Sequence, residues 1–362
     1  MKQYRNISII LVMAAIAGCA KLENAPLPER EITFTVGKYA TETKAESIID
    51  VDSVTSFSSK AYLYAEGVDG VQNFFGTGET ISWDSDAHVW EPSHPYYWPK
   101  SSNSYINFIS WHDNGGAPTT VSETALEWVG RTIGANDNIM FADAAWRYNQ
   151  NVSTYRFNSV VSGVPTLFHH ALCRVQINVK ALVTTNPDNA NETFEITLQS
   201  ARLEGVYNNG NMKLVNEDID ETGTSAWWSN TSPTLLWNTI SSTTSNPYDG
   251  VTTDTNVTTD PVAALPLRSF MPQNLADAAC FNFVYTLVTK SNGNVTSSEQ
   301  NIPVSIVLNK IKNASDMEIK QWLPNRIYIY NVVINPIGQN ILLNPTVESD
   351  WGFSSDLSAT VE

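Results

Sequence analysis

Apolar and polar residues alternate with a period of two in run after run along this 362-residue chain. The runs are Ile32/Phe34/Val36, Ala61/Leu63/Ala65, Tyr105 to Trp111, Val175/Ile177/Val179, Phe194/Ile196/Leu198, Phe281/Phe283/Tyr285/Leu287, Val304/Ile306/Leu308 and Ile327/Ile329. Successive side chains of a strand point to opposite faces, so each run predicts a strand with one buried face. Turn residues separate them. Asn208-Asn209-Gly210 stands between Leu203–Val206 and Met212–Leu214, and Asn292-Gly293 follows the run ending at Val288, which predicts two hairpins. Two stretches suit short helices, Ser122 to Val129 and Asn313 to Ile319, neither long enough for three full turns. The expected fold class is all-β, with two β-sandwiches in series and short accessory helices.

At roughly 150 residues per domain the chain has room for two domains with substantial cores. Gly163-Val164-Pro165 precedes the strong strand Leu172 to Val179 and marks the expected boundary. The expected division is therefore 45–163 and 164–362. Residues 216–261 are dense in Ser, Thr, Asn and Asp, yet carry Trp227, Trp228, Leu235, Leu236 and Trp237. They predict a long polar loop pinned by aromatics.

The first residues read as export information. Lys2 and Arg5 precede an apolar run from Ile7 to Ala17, then Gly18 and Cys19. That run is far shorter than the roughly 20 residues of a membrane-spanning helix. Ile16-Ala17-Gly18-Cys19 resembles a lipobox, in which a branched apolar residue and two small ones precede the cysteine that receives lipid. Residues 1–18 are thus the expected signal peptide and Cys19 the lipid-bearing membrane anchor. Loss of Lys2 and Arg5 with the signal moves the net charge from −16 to −18. Such acidity repels phosphate backbones and excludes nucleic acid as a partner.

Little in the chain suggests catalysis or a cofactor. There is no phosphate-cradling glycine loop, no Gly-x-Ser-x-Gly elbow and no His-Glu-x-x-His site. His169 and His170 are adjacent, and on a strand they face opposite sides, so they do not share a metal. Asp50-Val51-Asp52 and Asp84-Ser85-Asp86 lack the glycine and final glutamate of a calcium loop and read as turn acids. Cys173 and Cys280 lie among strand residues and read as small buried apolar groups, with a bridge between them left open. The eleven tryptophans mostly border strands, as at Trp98, Trp111, Trp322 and Trp351, and read as packing. Trp227-Trp228 is the best candidate for an exposed platform that stacks on a sugar ring, and this is the alternative function: a monomeric glycan-binding surface lipoprotein.

Three further blocks carry a resemblance. They are Tyr97-Trp98-Pro99 followed by Tyr105-Ile106-Asn107-Phe108-Ile109-Ser110-Trp111; Leu167-Phe168-His169-His170-Ala171-Leu172-Cys173-Arg174-Val175-Gln176-Ile177-Asn178-Val179; and Trp322-Leu323-Pro324-Asn325-Arg326-Ile327-Tyr328-Ile329-Tyr330, with Asp350-Trp351 closing the last strand. With the lipobox, their order resembles the fimbrillin-like lipoproteins, subunits of type V fimbriae in anaerobic Gram-negative bacteria. The resemblance implies two transthyretin-like β-sandwich domains and a non-enzymatic structural role. It implies an outer-membrane, surface-displayed precursor whose first strand is cut away by a trypsin-like protease. The emptied groove then receives a strand from another fimbrial subunit. Mapped onto this chain, 19–44 is the lipidated leader, with Ile32, Phe34 and Val36 facing the groove and the cut after Lys44, chosen over Arg30 and Lys38. The candidate donor strand carries Ile341, Leu343, Val347 and Trp351.

Overall fold

The computed structural model describes residues 30–38, 54–143, 145–149, 163–215, 237–239, 248–313 and 315–348. The described residues are almost entirely strands, and the helical content among them is one 3-10 turn, Leu308–Lys310. The all-β expectation holds because each alternating run buries one face: Cys173–Ala181, for instance, alternates buried and half-buried side chains along its whole length.

The first half is organised by a nine-stranded sheet that returns on itself. The sheet closes through Tyr105–Asp113, which pairs with Ser56–Tyr64 on one side and with Ile139–Ala142 and Ala145–Tyr148 on the other. Inside lie Ile32, Phe34, Phe57, Phe75, Trp90, Trp98, Phe108 and Phe168. In the second half, Val262–Phe270, Cys173–Ala181, Ile327–Asn335 and Asn340–Glu348 form one four-stranded sheet. It shares a core with the sheet containing Asn189–Glu204, Cys280–Ser291 and Asn294–Val307. A third apolar cluster joins the halves: Ile109, Trp111, Trp128 and Phe141 from the first meet Leu172, Met212, Met271 and Ile327 from the second.

The structure corrects three expectations. Ser122 to Val129 is not a helix: Ala125–Thr132 is a strand that pairs with Thr120–Val121 and Asn209–Val215. Leu126 and Trp128 are buried while Val129 is 53% exposed, a period of two rather than 3.6. Asn313 to Ile319 is a turn, because the Asn313 side-chain oxygen accepts from the N–H groups of Ser315 and Met317 at 3.0 and 3.1 Å. Such a side-chain bond offers the backbone an alternative to helix.

The third correction concerns Asn208-Asn209-Gly210, which does not close a hairpin. Asn189–Glu204 pairs with Cys280–Ser291, while Asn209–Val215 leaves that sheet to pair with Ala125–Thr132. The chain turns away at Gly205, where φ is +72° and an added Cβ would lie 1.9 Å from the Ala278 carbonyl oxygen. Within the expected 216–261 loop, the described part contains Trp237–Thr239, paired with Asn209–Val215, and Tyr248–Asp249 and Thr255–Val257, both paired with Asn189–Glu204. By contrast Asn292-Gly293 does close its hairpin, with φ of +50° and +80° and Ser291 opposite Asn294.

Candidate functional site: the slot of the first strand

Ile32, Phe34 and Val36 alternate with Thr33 and Thr35, a β-branched pattern suited to a strand with one face in a core. Phe34–Lys38 runs parallel to Val164–His170, from Phe34 beside Val164 to Lys38 beside Phe168. On its other side Phe34 pairs with Trp90, and Glu31 bridges to Tyr97. Main-chain bonds hold it on both flanks: the Ile32 N–H donates to the Tyr96 oxygen at 2.7 Å, Trp98 N–H to the Arg30 oxygen at 2.9 Å, and Val164 N–H to the Thr33 oxygen at 2.7 Å.

The inward face is sealed. Ile32 is fully buried, Phe34 is 3% exposed, and Val36 packs half-buried against the same cluster. The Phe34 ring meets Phe57 and Phe108 edge-on, at 5.6 Å in each case, and Phe75 at 6.5 Å. Burial of the Ile32 and Phe34 side chains contributes roughly 3–6 kcal/mol. Gly163 lies against the strand's outer side with φ of +131°, and a Cβ there would come within 2.9 Å of the Phe34 carbonyl carbon and of Thr35 Oγ1.

Each wall has a second strand partner. Val164–His170 also pairs with Ile139–Ala142, and Val89–Pro92 also pairs with Glu79–Asp84. Both walls are far from the first strand in sequence, so no tight hairpin ties it to either. Its hold on the fold is a row of main-chain hydrogen bonds plus two sealed side chains. A polar lock sits beside one wall, where the Tyr96 hydroxyl donates to Glu79 Oε1 at 2.7 Å. That bond, with burial, pushes the Tyr96 phenol up to about 12. Burial works against ionisation of Glu79, yet hydrogen bonds from Ser93 and Tyr96, with His94 nearby, hold it below the ordinary carboxylate value.

The other residues singled out in the sequence disperse. His169 Nε2 is 2.9 Å from Asp143 Oδ1 and its ring stacks on Phe141, while His170 Nδ1 is 2.9 Å from Asn138 Oδ1. Among the described residues no three His, Cys, Asp or Glu side chains could hold a metal, and no helix is long and apolar enough to cross a membrane. Asp84 is a turn acid, accepting from the N–H groups of Asp86 and Ala87. Cys173 is buried and Cys280 half-buried, and both are free thiols. Trp98, Trp111 and Trp322 are buried. Ile341, Leu343 and Val347 lie on Asn340–Glu348, which pairs along its length with Ile327–Asn335 and forms a sheet edge. Leu343 and Val347 are each 40% exposed, whereas Ile341 packs against the core. Cys19, Lys44, Asp50, Asp52, Trp227, Trp228 and Trp351 lie outside the described residues.

Sequence reasoning found the strand but not its pocket. Phe57, Phe75 and Phe108 converge from a strand, a turn and another strand, and no local signal joins them. Gly163-Val164-Pro165, read as punctuation between domains, forms part of the slot's wall.

The described residues are almost all strand, and the first described strand lies between two others, held by main-chain pairing and a buried apolar face. The match to known proteins is with the fimbrillin-like family, whose profile covers residues 39–351, and the chain belongs to that family. A fimbrial protein from Bacteroides vulgatus shares 16% identity, with 89% of this chain and 99% of that one aligned and a TM-score of 0.52, which shows a common fold. Lower similarity extends to a cell adhesion protein from Parabacteroides distasonis, described as putative (10% identity, 90% and 98% covered, TM-score 0.46). The same is true of the tip fimbrial protein Mfa3 from Porphyromonas gingivalis (9% identity, 89% and 100% covered, TM-score 0.39). Among curated proteins none has a matching sequence.

Proposed function

We propose that this chain is a non-enzymatic subunit of a cell-surface fimbria that contributes to adhesion. In this reading it is exported as a lipoprotein anchored through Cys19 in the outer membrane. A trypsin-like protease cuts after Lys44, the first strand leaves, and a strand from another fimbrial subunit takes its place. The observation that carries the reading is the first strand itself: it lies inside a sheet, seals the core with Ile32 and Phe34, and is flanked by walls that pair elsewhere. A vacated slot leaves unpaired main-chain groups and an open aromatic core, both costly, and this favours capture of a replacement. The reciprocal donor is the edge strand Asn340–Glu348 with Ile341, Leu343 and Val347, extended by Trp351.

The test is the intact mass and N-terminal sequence of the protein recovered from cell-surface material. A start after Lys44 without lipid is the expected result for a matured subunit. Lipid retained on Cys19 in every molecule, with the first strand intact, refutes strand removal.

A further inference from the structure

If strand exchange operates as above, the slot's pockets also determine which strand enters. We propose that the vacated slot selects a strand from a different kind of chain, carrying aliphatic, aromatic and aliphatic side chains at three successive inward positions, and discriminates against this chain's own C-terminal segment. The three positions are those of Ile32, Phe34 and Val36.

The middle pocket demands a ring. Its three aromatic walls come from separate elements, and each is braced by further rings: Phe57 by Trp90 and Phe168 at 5.5 and 5.2 Å, Phe75 by Tyr96 at 4.5 Å, and Phe108 by Trp98 at 5.7 Å. Walls so braced do not close over a smaller group, so an aliphatic residue leaves a cavity. The Ile32 position is fully enclosed, which excludes a larger ring by overpacking and a serine by burial of its hydroxyl. Only the Val36 position, half-buried, is permissive.

The chain's own segment from Asn340 to Glu362 does not satisfy this pattern. The alternate positions starting at Asn340 contain no aromatic residue at all. Those starting at Ile341 contain two, Trp351 and Phe353, in the order Ser349, Trp351, Phe353, Ser355. With either ring in the middle pocket, and with the strand entering in either direction, the Ile32 position receives a serine or a second ring. Further back, Ile341 and Leu343 have no ring between or beside them at the required spacing. The strand this chain offers and the strand it accepts are therefore of different types, which places it in a mixed polymer rather than a homopolymer.

The test uses the full chain with a specific protease site replacing Glu42 to Ala45, cut and then incubated in mild urea with fluorescent peptides. Three peptides are compared: Glu31–Lys38, the same peptide with Phe34→Ala, and residues 341–362. Uncut protein is the control, tryptophan fluorescence reports folding, and peptide co-eluting with protein reports entry. The expected result is entry of the Glu31–Lys38 peptide, binding about a hundredfold weaker or more for the Phe34→Ala peptide and for 341–362, and no ladder from cut protein alone. Binding of 341–362 within about tenfold of the first-strand peptide, or self-ladders of the cut protein, overturns the selectivity while leaving strand exchange intact. Failure of even the Glu31–Lys38 peptide to enter a folded, cut protein overturns strand exchange itself.

Discussion

Replacing Phe34 by alanine removes a ring that is 3% exposed and has three aromatic partners within 6.5 Å. Phenylalanine-to-alanine changes in cores cost about 3–5 kcal/mol, with the spread set by how well the site collapses. Each favourable ring pair adds about 0.5–1.5 kcal/mol beyond its buried area. Because the partner rings are braced from several sides, little collapse is open to them, and the expected loss is about 4–5 kcal/mol. Equilibrium urea unfolding of the full chain measures it, followed by tryptophan fluorescence since Trp90 and Trp98 lie in the same cluster. At about 1–3 kcal/mol per molar urea the midpoint of that transition falls by more than about 1 M. Leu343→Ala is the internal comparison: the side chain is 40% exposed on an edge strand, and its loss costs under about 1 kcal/mol. A Phe34→Ala cost below about 1 kcal/mol refutes the reasoning, for the first strand would then contribute little to the core it closes.

Gly163→Ala is expected to destabilise by about 1–3 kcal/mol and to loosen the first strand, because the new methyl presses on Phe34 and Thr35 in a left-handed backbone. Gly70→Ala, at φ of +84° with open space around it, carries the backbone cost alone, and equal urea midpoints for the two variants would exclude the clash. Burial holds the His112 imidazole below its ordinary value, against the opposing effects of its bond to the Ser56 oxygen at 3.0 Å and of Asp113. The unfolded chain then binds the proton more readily than the folded one. His112 therefore contributes stability that is present above a pH of about 6.5 and is lost as pH falls through its depressed folded value. Urea midpoints measured from pH 8 to pH 5 should drop less steeply in His112→Gln, and identical slopes would contradict this.

The strands were legible because a half-buried strand writes its two faces into neighbouring residues. Val175, Ile177 and Val179 could be read as inward from three positions alone, and all are fully buried. The misread segments are those in which a local signal had two meanings. Leu126, Trp128 and Val129 are apolar residues close enough to suit a helix, and only pairing with Asn209–Val215 selects the strand. Asn209-Gly210 has hairpin chemistry, but its neighbours had stronger partners elsewhere. The Asn313 side chain competes for N–H groups that a helix would need.

The period of two, the strands it implies, the turn at Asn292-Gly293 and the shared inward face of Ile32, Phe34 and Val36 were all readable along the chain. These depend on interactions between residues near in the chain, where propensity and alternation act. That this face lies between Val164–His170 and Val89–Pro92, with Phe57, Phe75 and Phe108 forming its middle pocket, follows from long-range packing. Strand pairing is a contest among many similar edges separated by long loops. Its outcome is decided by register and by packing of side chains far apart in sequence, a quantity no local window contains.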